Sequence, residues 1–300
     1  MDIPTHAQHH DRIGVPSSNV IGSQAYAQEV FPGYPSTALS PHLVGFWPLN
    51  NQQRLCARDT SGNGNHFLRL IQNLSGLSGS TGWMVNSSGT TARLSADPLD
   101  VRFDIGAPGV SFIVAFETRN ATEPGGQDQT VIAKGQASGI AGSIGLVIGM
   151  VDNGASTPRL RVVVNNVSKY SSNFPTWSSN RVYHVAVVRD SGGAMGTANR
   201  IYVYIDGVRD TAFDTVGYTA FAPTAQYNVA NLALAGYGNN VTGADLGTSA
   251  ANAHTLRNLQ LALLQPNIPL PGGGAFTAMD ALVTSMAADA THMLTAGELP

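Results

Sequence analysis

Three hundred residues, 43% of them hydrophobic, are enough for one large or two small buried cores. Only 12% of the residues are charged, and 16 Lys and Arg against 19 Asp and Glu leave a net charge of −3, which argues against the basic face of a nucleic-acid binder. The single cysteine, Cys56, excludes an internal disulfide framework and reads as a small buried hydrophobe.

The chain opens without a basic start followed by an apolar run, so no secretory signal is expected. Nowhere do about eighteen apolar residues follow one another, so no membrane span is expected either. Residues 1–41 read as an extended arm, because Pro4, Pro16, Pro32, Pro35 and Pro41 break helices and interrupt central strands. Tyr26, Val30, Phe31 and Tyr34 gather the arm's large apolar side chains and are its expected assembly contacts. His6, His9 and His10 have no Cys or carboxylate at ligand spacing and read as a polar tip rather than a metal site.

From residue 42 to 265 the pattern is that of short strands separated by turns. Leu43, Phe46, Trp47 and Leu49 make an apolar first strand, and Asp59, Gly62, Asn63 and Gly64 form a turn. Val101–Ile105, then Phe112, Val114 and Phe116, then Val131–Lys134 continue the set. Ile144–Val151 and Leu160–Val164 flank Asp152-Asn-Gly154, a hairpin signal. Arg181–Asp190 is apolar on both faces, as befits a central strand. In Arg200–Arg209, Ile201, Val203 and Ile205 alternate with Tyr202, Tyr204 and Asp206, which predicts one buried face, and Asp206-Gly207 predicts a type I′ turn. Asn231–Ala235 and Leu256–Leu264 complete the strands, and the loop 191–199 reads as free to vary.

Four stretches carry a family likeness: Gly45-Phe-Trp-Pro-Leu49, Asp59-Thr-Ser-Gly-Asn-Gly-Asn-His66, Tyr183-His-Val-Ala-Val-Val-Arg-Asp190 and Ile201-Tyr-Val-Tyr-Ile-Asp-Gly-Val208. In order and separation they resemble laminin G-like, concanavalin A-like domains. The resemblance implies an all-β fold, a two-sheet antiparallel jelly-roll sandwich, here with an extended N-terminal arm and a short C-terminal helix. Such sandwiches host lectins, glycosidases, adhesion modules and structural proteins, so the fold leaves function open. Members often hold calcium at the rim, for which Asp59, Asn63 and Asn65 are the candidates here, although a turn already accounts for them. Similar modules occur in tailed-phage decoration proteins and fibres.

Residues 266–300 read as a linker and an amphipathic helix, because Phe276, Met279, Leu282, Val283, Met286, Ala290 and Met293 recur every three or four residues. Thr277 with Asp280 forms a variant capping box, and Gly297 can end the helix. No catalytic set emerges. The four glutamates, Glu29, Glu117, Glu123 and Glu298, do not fit the Glu-x-Asp-x-x-Glu pattern of the related glucanases. Glu117 beside Arg119 reads as a surface pair, and His184 as a hydrogen-bonded core histidine.

Two functions follow as expectations. The first is a structural virion protein of a tailed phage, made in the host cytoplasm, decorating the capsid as a homo-oligomer. Its terminal arms would hold neighbouring subunits and a capsid protein together. A trimer is the state that family analogy suggests. The second is a glycan-binding adhesin or receptor-binding module, with Trp83, Trp177 or Tyr237 as an aromatic platform. Neither reading involves an enzyme, a cofactor, nucleic acid or a membrane.

Overall fold

The computed structural model describes residues 43–47, 49, 56–57, 59, 61–69, 77–78, 84–86, 94–95, 110–120, 129–134, 146–152, 158–164, 167–170, 182–193, 195, 200–211, 213–215, 232–234, 237–238, 245–247, 254–264 and 275–295. Their strands are β1 (Leu43–Trp47), β2 (Cys56–Ala57), β3 (Phe67–Arg69), β4 (Leu77–Ser78), β5 (Met84–Asn86), β6 (Leu94–Ser95), β7 (Ser111–Asn120), β8 (Gln129–Lys134) and β9 (Leu146–Asp152). There follow β10 (Pro158–Val164), β11 (Val167–Tyr170), β12 (Tyr183–Asp190), β13 (Arg200–Ile205), β14 (Val208–Arg209), β15 (Leu232–Leu234), β16 (Tyr237–Gly238), β17 (Asp245–Gly247) and β18 (His254–Leu264). One long helix, α1 (Ala275–Thr295), closes the described chain.

The strands form two antiparallel sheets, which establishes the all-β sandwich that the sequence predicts. The front sheet runs β14-β13-β12-β7-β18-β5-β4, with β1 also paired to β18. The back sheet runs β11-β10-β9-β8-β15-β6-β3-β2, and β16 with β17 makes a separate ribbon. Along β18, residues 259–262 pair with β1 and residues 255–256 with β5, so these two strands share one edge of β18.

The space between the sheets is filled by alternate residues of each strand. Phe112, Val114, Phe116, Val185, Val187 and Leu261 face Val131, Leu146, Ile148, Leu160 and Val162 in one buried cluster. Each large aliphatic or aromatic side chain buried there contributes about 1.5–3 kcal/mol before ordering costs. Trp47 is wholly buried in this cluster. Gly45 makes room for it, since a Cβ at that position would overlap the indole ring.

A second core lies on the outer face of the front sheet. There Ile113, Ala115, Ala186, Val188, Tyr202 and Tyr204 meet Met279, Val283 and Met286 of α1. This corrects two expectations. The Tyr face of β13, expected to be open, is buried because the helix lies over it. The helix packs its Met-rich stripe on its own sheet, the domain packing that such a stripe more often serves, whereas the capsid reading had this end lying across neighbouring subunits.

The turn after β13 is as expected: Asp206 and Gly207 have φ of 50° and 78°, the positive values a type I′ turn needs. The capping box is not formed. Helix α1 begins at Ala275, which puts Thr277 inside the first turn, and Asp280 points to the sheet instead. The loop after β12 is pinned at its start, because both Asp190 oxygens accept backbone bonds, from Gly193 N–H at 2.8 Å and Met195 N–H at 2.6 Å.

Candidate functional site

Two polar clusters are built into the sandwich. One sits at the rim, where the turn 59–66 meets β1. Asp59 Oδ1 accepts the N–H of Phe46 at 3.0 Å and of Ser61 at 2.8 Å, and Oδ2 accepts the N–H of Asn65 at 2.8 Å. The Asn65 side-chain amide donates to the Val44 carbonyl at 2.6 Å, and that of Asn63 donates to the Leu43 carbonyl at 2.7 Å. Trp47 Nε1–H donates to the Asn65 carbonyl at 2.7 Å. The three candidate calcium ligands are thus brought together, with both Asp59 oxygens turned to N–H donors. Among the described residues no group of three or more His, Cys, Asp or Glu side chains is placed to hold a metal ion.

The second cluster lies on the outer face of the front sheet, and the register of three strands creates it. Arg257 of β18, Glu117 of β7 and His184 of β12 stand opposite one another in a single row. A β-bulge in β18 between Arg257 and Gln260 carries Asn258 into the left-handed region, φ 51°. Glu117, 1% exposed, binds both sides of this bulge: Arg257 Nε donates to Oε2 at 2.5 Å and Asn258 Nδ2 donates to Oε1 at 2.8 Å. Glu117 is therefore a buried carboxylate paired with Arg257, and not the surface partner of Arg119 that adjacency suggests. Burial pushes its pKa above the usual carboxylate range, an effect that Arg257 and Asn258 partly offset.

His184 is 6% exposed, and burial lowers its pKa to about 4. Its backbone is anchored, with N–H donating to Asp206 Oδ1 at 2.9 Å and the carbonyl accepting Asp206 N–H at 2.7 Å. The imidazole departs from the expected hydrogen-bonded core histidine, because Nδ1 is buried without a partner. Gln260 Oε1, in the next row, is likewise buried and unpaired. This cluster lay hidden in the sequence behind short-range neighbours. Its signal was phase: Glu117 falls in step with Ile113 and Ala115, residues of a buried face.

Beside it, α1 is bolted to the sheet by polar groups. Tyr204 O–H donates to Asp280 Oδ1 at 2.8 Å, and Arg209 Nη1 donates to the same oxygen at 3.2 Å. Arg209 also pairs with Asp214 at 3.2 Å, while Arg200 donates to the Asp214 carbonyl. Burial and Asp280 together raise the pKa of Tyr204 far above its ordinary value. No described helix is long and apolar enough to cross a membrane.

Of the aromatic platform candidates, Tyr237 lies on β16, in the ribbon beside β8 and β15. Trp83 and Trp177 lie outside the described residues, as do Tyr26, Val30, Phe31 and Tyr34 of the arm.

The sequence matches no protein-family model and no curated protein. Solved structures do share the fold. The chain is similar to Trypanosoma rangeli sialidase in complex with sialic acid, at 12% identity and a TM-score of 0.53, over 93% of this chain and 40% of that one. It is also similar to domain 4 of AbnA, a GH43 extracellular arabinanase from Geobacillus stearothermophilus, in complex with arabinotriose. That alignment has 16% identity and a TM-score of 0.47, and covers 81% of this chain and 98% of that one. The binding domain of botulinum neurotoxin DC, in complex with rat synaptotagmin II, aligns at 11% identity and a TM-score of 0.46, over 83% of this chain and 52% of that one. The chain thus spans well under two thirds of the sialidase. Of the three, only the sialidase aligns with a TM-score above 0.5, and at 12% identity that likeness shows the fold and nothing finer.

Proposed function

We propose that this chain is a non-catalytic recognition module whose sandwich binds glycans. The observation that carries the reading is how the acids are used. Among the residues whose side chains the structure describes, the acids Asp59, Glu117, Asp190, Asp206, Asp210, Asp214 and Asp280 each hold a strand, turn or helix through a hydrogen bond or ion pair. A glycosidase needs two carboxyl groups open to the sugar, one to protonate the leaving oxygen and one to act as base or nucleophile. Acids committed to the architecture suit binding better than catalysis.

A sugar is the ligand class to try first, because a sandwich of the same fold belongs to a protein solved with sialic acid. Tyr237, with Trp83 and Trp177, supplies the candidate stacking platform. The test is a glycan array probed with the full chain, followed by calorimetry on any hit with Tyr237→Ala. A sugar bound by the parent and at least about tenfold more weakly by the variant supports the reading, a loss of about 1.4 kcal/mol. An array without a hit removes it. A calorimetric calcium titration that gives no heat removes Asp59, Asn63 and Asn65 as cation ligands.

The capsid-decorating reading comes second. It rests on the composition of residues 1–41, and α1, the other end assigned to attachment, is packed against its own sheet. Deleting residues 1–41 tests it: a folded protein that no longer joins particles or oligomerises supports attachment through Tyr26, Val30, Phe31 and Tyr34.

A further inference from the structure

We propose that Asn63-Gly64 is a self-modifying site: the Asn63 side chain deamidates through a cyclic imide, and the product unclips the rim turn from β1.

The reaction needs an asparagine carboxamide, a following backbone N–H that can lose its proton, and room for a ring between them. The rim turn supplies all three. Asn63 and Gly64 are both exposed. Gly64 has no side chain to crowd the ring, and nothing lies within 4 Å of where its Cβ would stand. Its N–H makes no hydrogen bond among the described residues, whereas its carbonyl accepts the N–H of His66 at 3.0 Å. Nearby residues of the same chemistry lack one requirement or another. Asn65 is buried, and the N–H that would attack it is that of His66, already bonded. In the Asp206-Gly207 turn, Gly207 is buried beneath Thr284, and Asp206 Oδ1 accepts the N–H of His184.

Base removes the Gly64 N–H proton, and the nitrogen bonds to Asn63 Cγ while the Cγ–Nδ2 bond breaks. Nδ2 leaves as ammonia, with a proton from water. Water then opens the imide at either carbonyl. The product is aspartate at position 63 or its isoaspartyl isomer, in which the main chain runs through Cγ. Solvent supplies the water and the protons, and nothing is oxidised or reduced.

What the turn loses is specific. Asn63 Nδ2 donates to the Leu43 carbonyl at 2.7 Å and to the Val44 carbonyl at 3.4 Å. The Leu43 bond is exposed, where water competes for both partners, so it slows the step without blocking it. A carboxylate can only accept, so the product sets oxygen against both carbonyls. The turn is then left to the bonds of Asp59 and Asn65.

Incubating the full chain at mildly alkaline pH and mapping the tryptic peptide Asp59–Arg69, which holds both Asn63 and Asn65, tests the site. Fragmentation should place the amide-to-acid mass gain on residue 63 and leave residue 65 intact. The rate should lie within about tenfold of that in the urea-unfolded chain, since an unbonded N–H needs no local opening. Asn63→Gln keeps the amide but closes a larger, slower ring, and its peptide should stay unmodified. In the converted chain and in Asn63→Asp, the amides of 61–65 should exchange about tenfold faster than in the parent, with 112–115 unchanged. A native chain that stays unconverted while the unfolded chain reacts overturns the site, as does a mass gain that persists in Asn63→Gln. Conversion that leaves the exchange of 61–65 unchanged overturns the unclipping.

Discussion

The hydroxyl of Thr284 on α1 donates to the carbonyl of Gly207 at 3.1 Å, and the two backbones approach so closely that a Cβ on Gly207 would lie 2.9 Å from the Thr284 Cα. The turn between β13 and β14 is thus the seat on which the helix rests. Gly207 serves twice, by taking a positive φ of 78° and by leaving space for the helix backbone. Gly207→Ala should cost about 1–3 kcal/mol from backbone strain, with a further loss from the displaced helix. Urea unfolding measures the first, and faster hydrogen exchange in residues 277–288 reports the second.

The rim knot predicts a larger effect from a smaller change. Asp59→Asn keeps the volume but turns an NH2 group toward backbone N–H groups that now have an acceptor. Losing charge-assisted bonds and leaving buried donors unpaired should cost about 3 kcal/mol. Because Asp59 fixes Phe46, and Asn65 accepts from Trp47, indole fluorescence should shift to the red before the global transition. Coincident transitions would show that the knot is not a separate unit.

Stability should depend on His184 in a defined pH window. Above pH 6.5 the imidazole is neutral in both folded and unfolded chains. Between 6.5 and about 4 only the unfolded chain takes the proton, so folding becomes less favourable as pH falls, and below about 4 the effect levels off. The full span is worth about 3 kcal/mol at ~1.4 kcal/mol per unit. Glu117 acts in the opposite sense, since its raised pKa makes the fold bind the proton more tightly and lose stability as pH rises through that pKa. Urea unfolding across the window should give a shallower slope for His184→Phe than for the parent. Parallel curves would remove His184 as the source.

Met279 is wholly buried between α1 and the front sheet, so Met279→Ala should open a cavity and cost about 2–5 kcal/mol. Ending the chain before Ala275 should expose Ala186, Val188 and Tyr202 and make the protein bind a hydrophobic dye. A soluble, dye-silent truncation would mean that the outer face has another cover.

What the sequence made legible follows the range of each interaction. The β12 and β13 strands, the Asp206-Gly207 turn and α1 rest on periods and turn chemistry confined to about ten residues, and all are found. The partners of these elements are set by tertiary contact. Glu117 meets Asn258 across 141 residues, so its neighbour Arg119 was a misleading guide. Asp59 was legible as a turn residue through its bond to Ser61, but its bond to Phe46 reaches back 13 residues to another strand. Tyr202 and Tyr204 gave the polar side of an alternation that proved buried, since amphipathic aromatics fit an open face and a helix-covered one equally well.

The short strand β14 limits how molecules of this kind can grow. It ends the front sheet with only Val208 and Arg209, and Arg209 is turned back into the helix and Asp214. So brief an edge offers a visiting strand scarcely one pair of ladder bonds, with Val208 as the lone large apolar side chain exposed among the described residues. At β14 itself, then, a strand added from another molecule finds little to pair with.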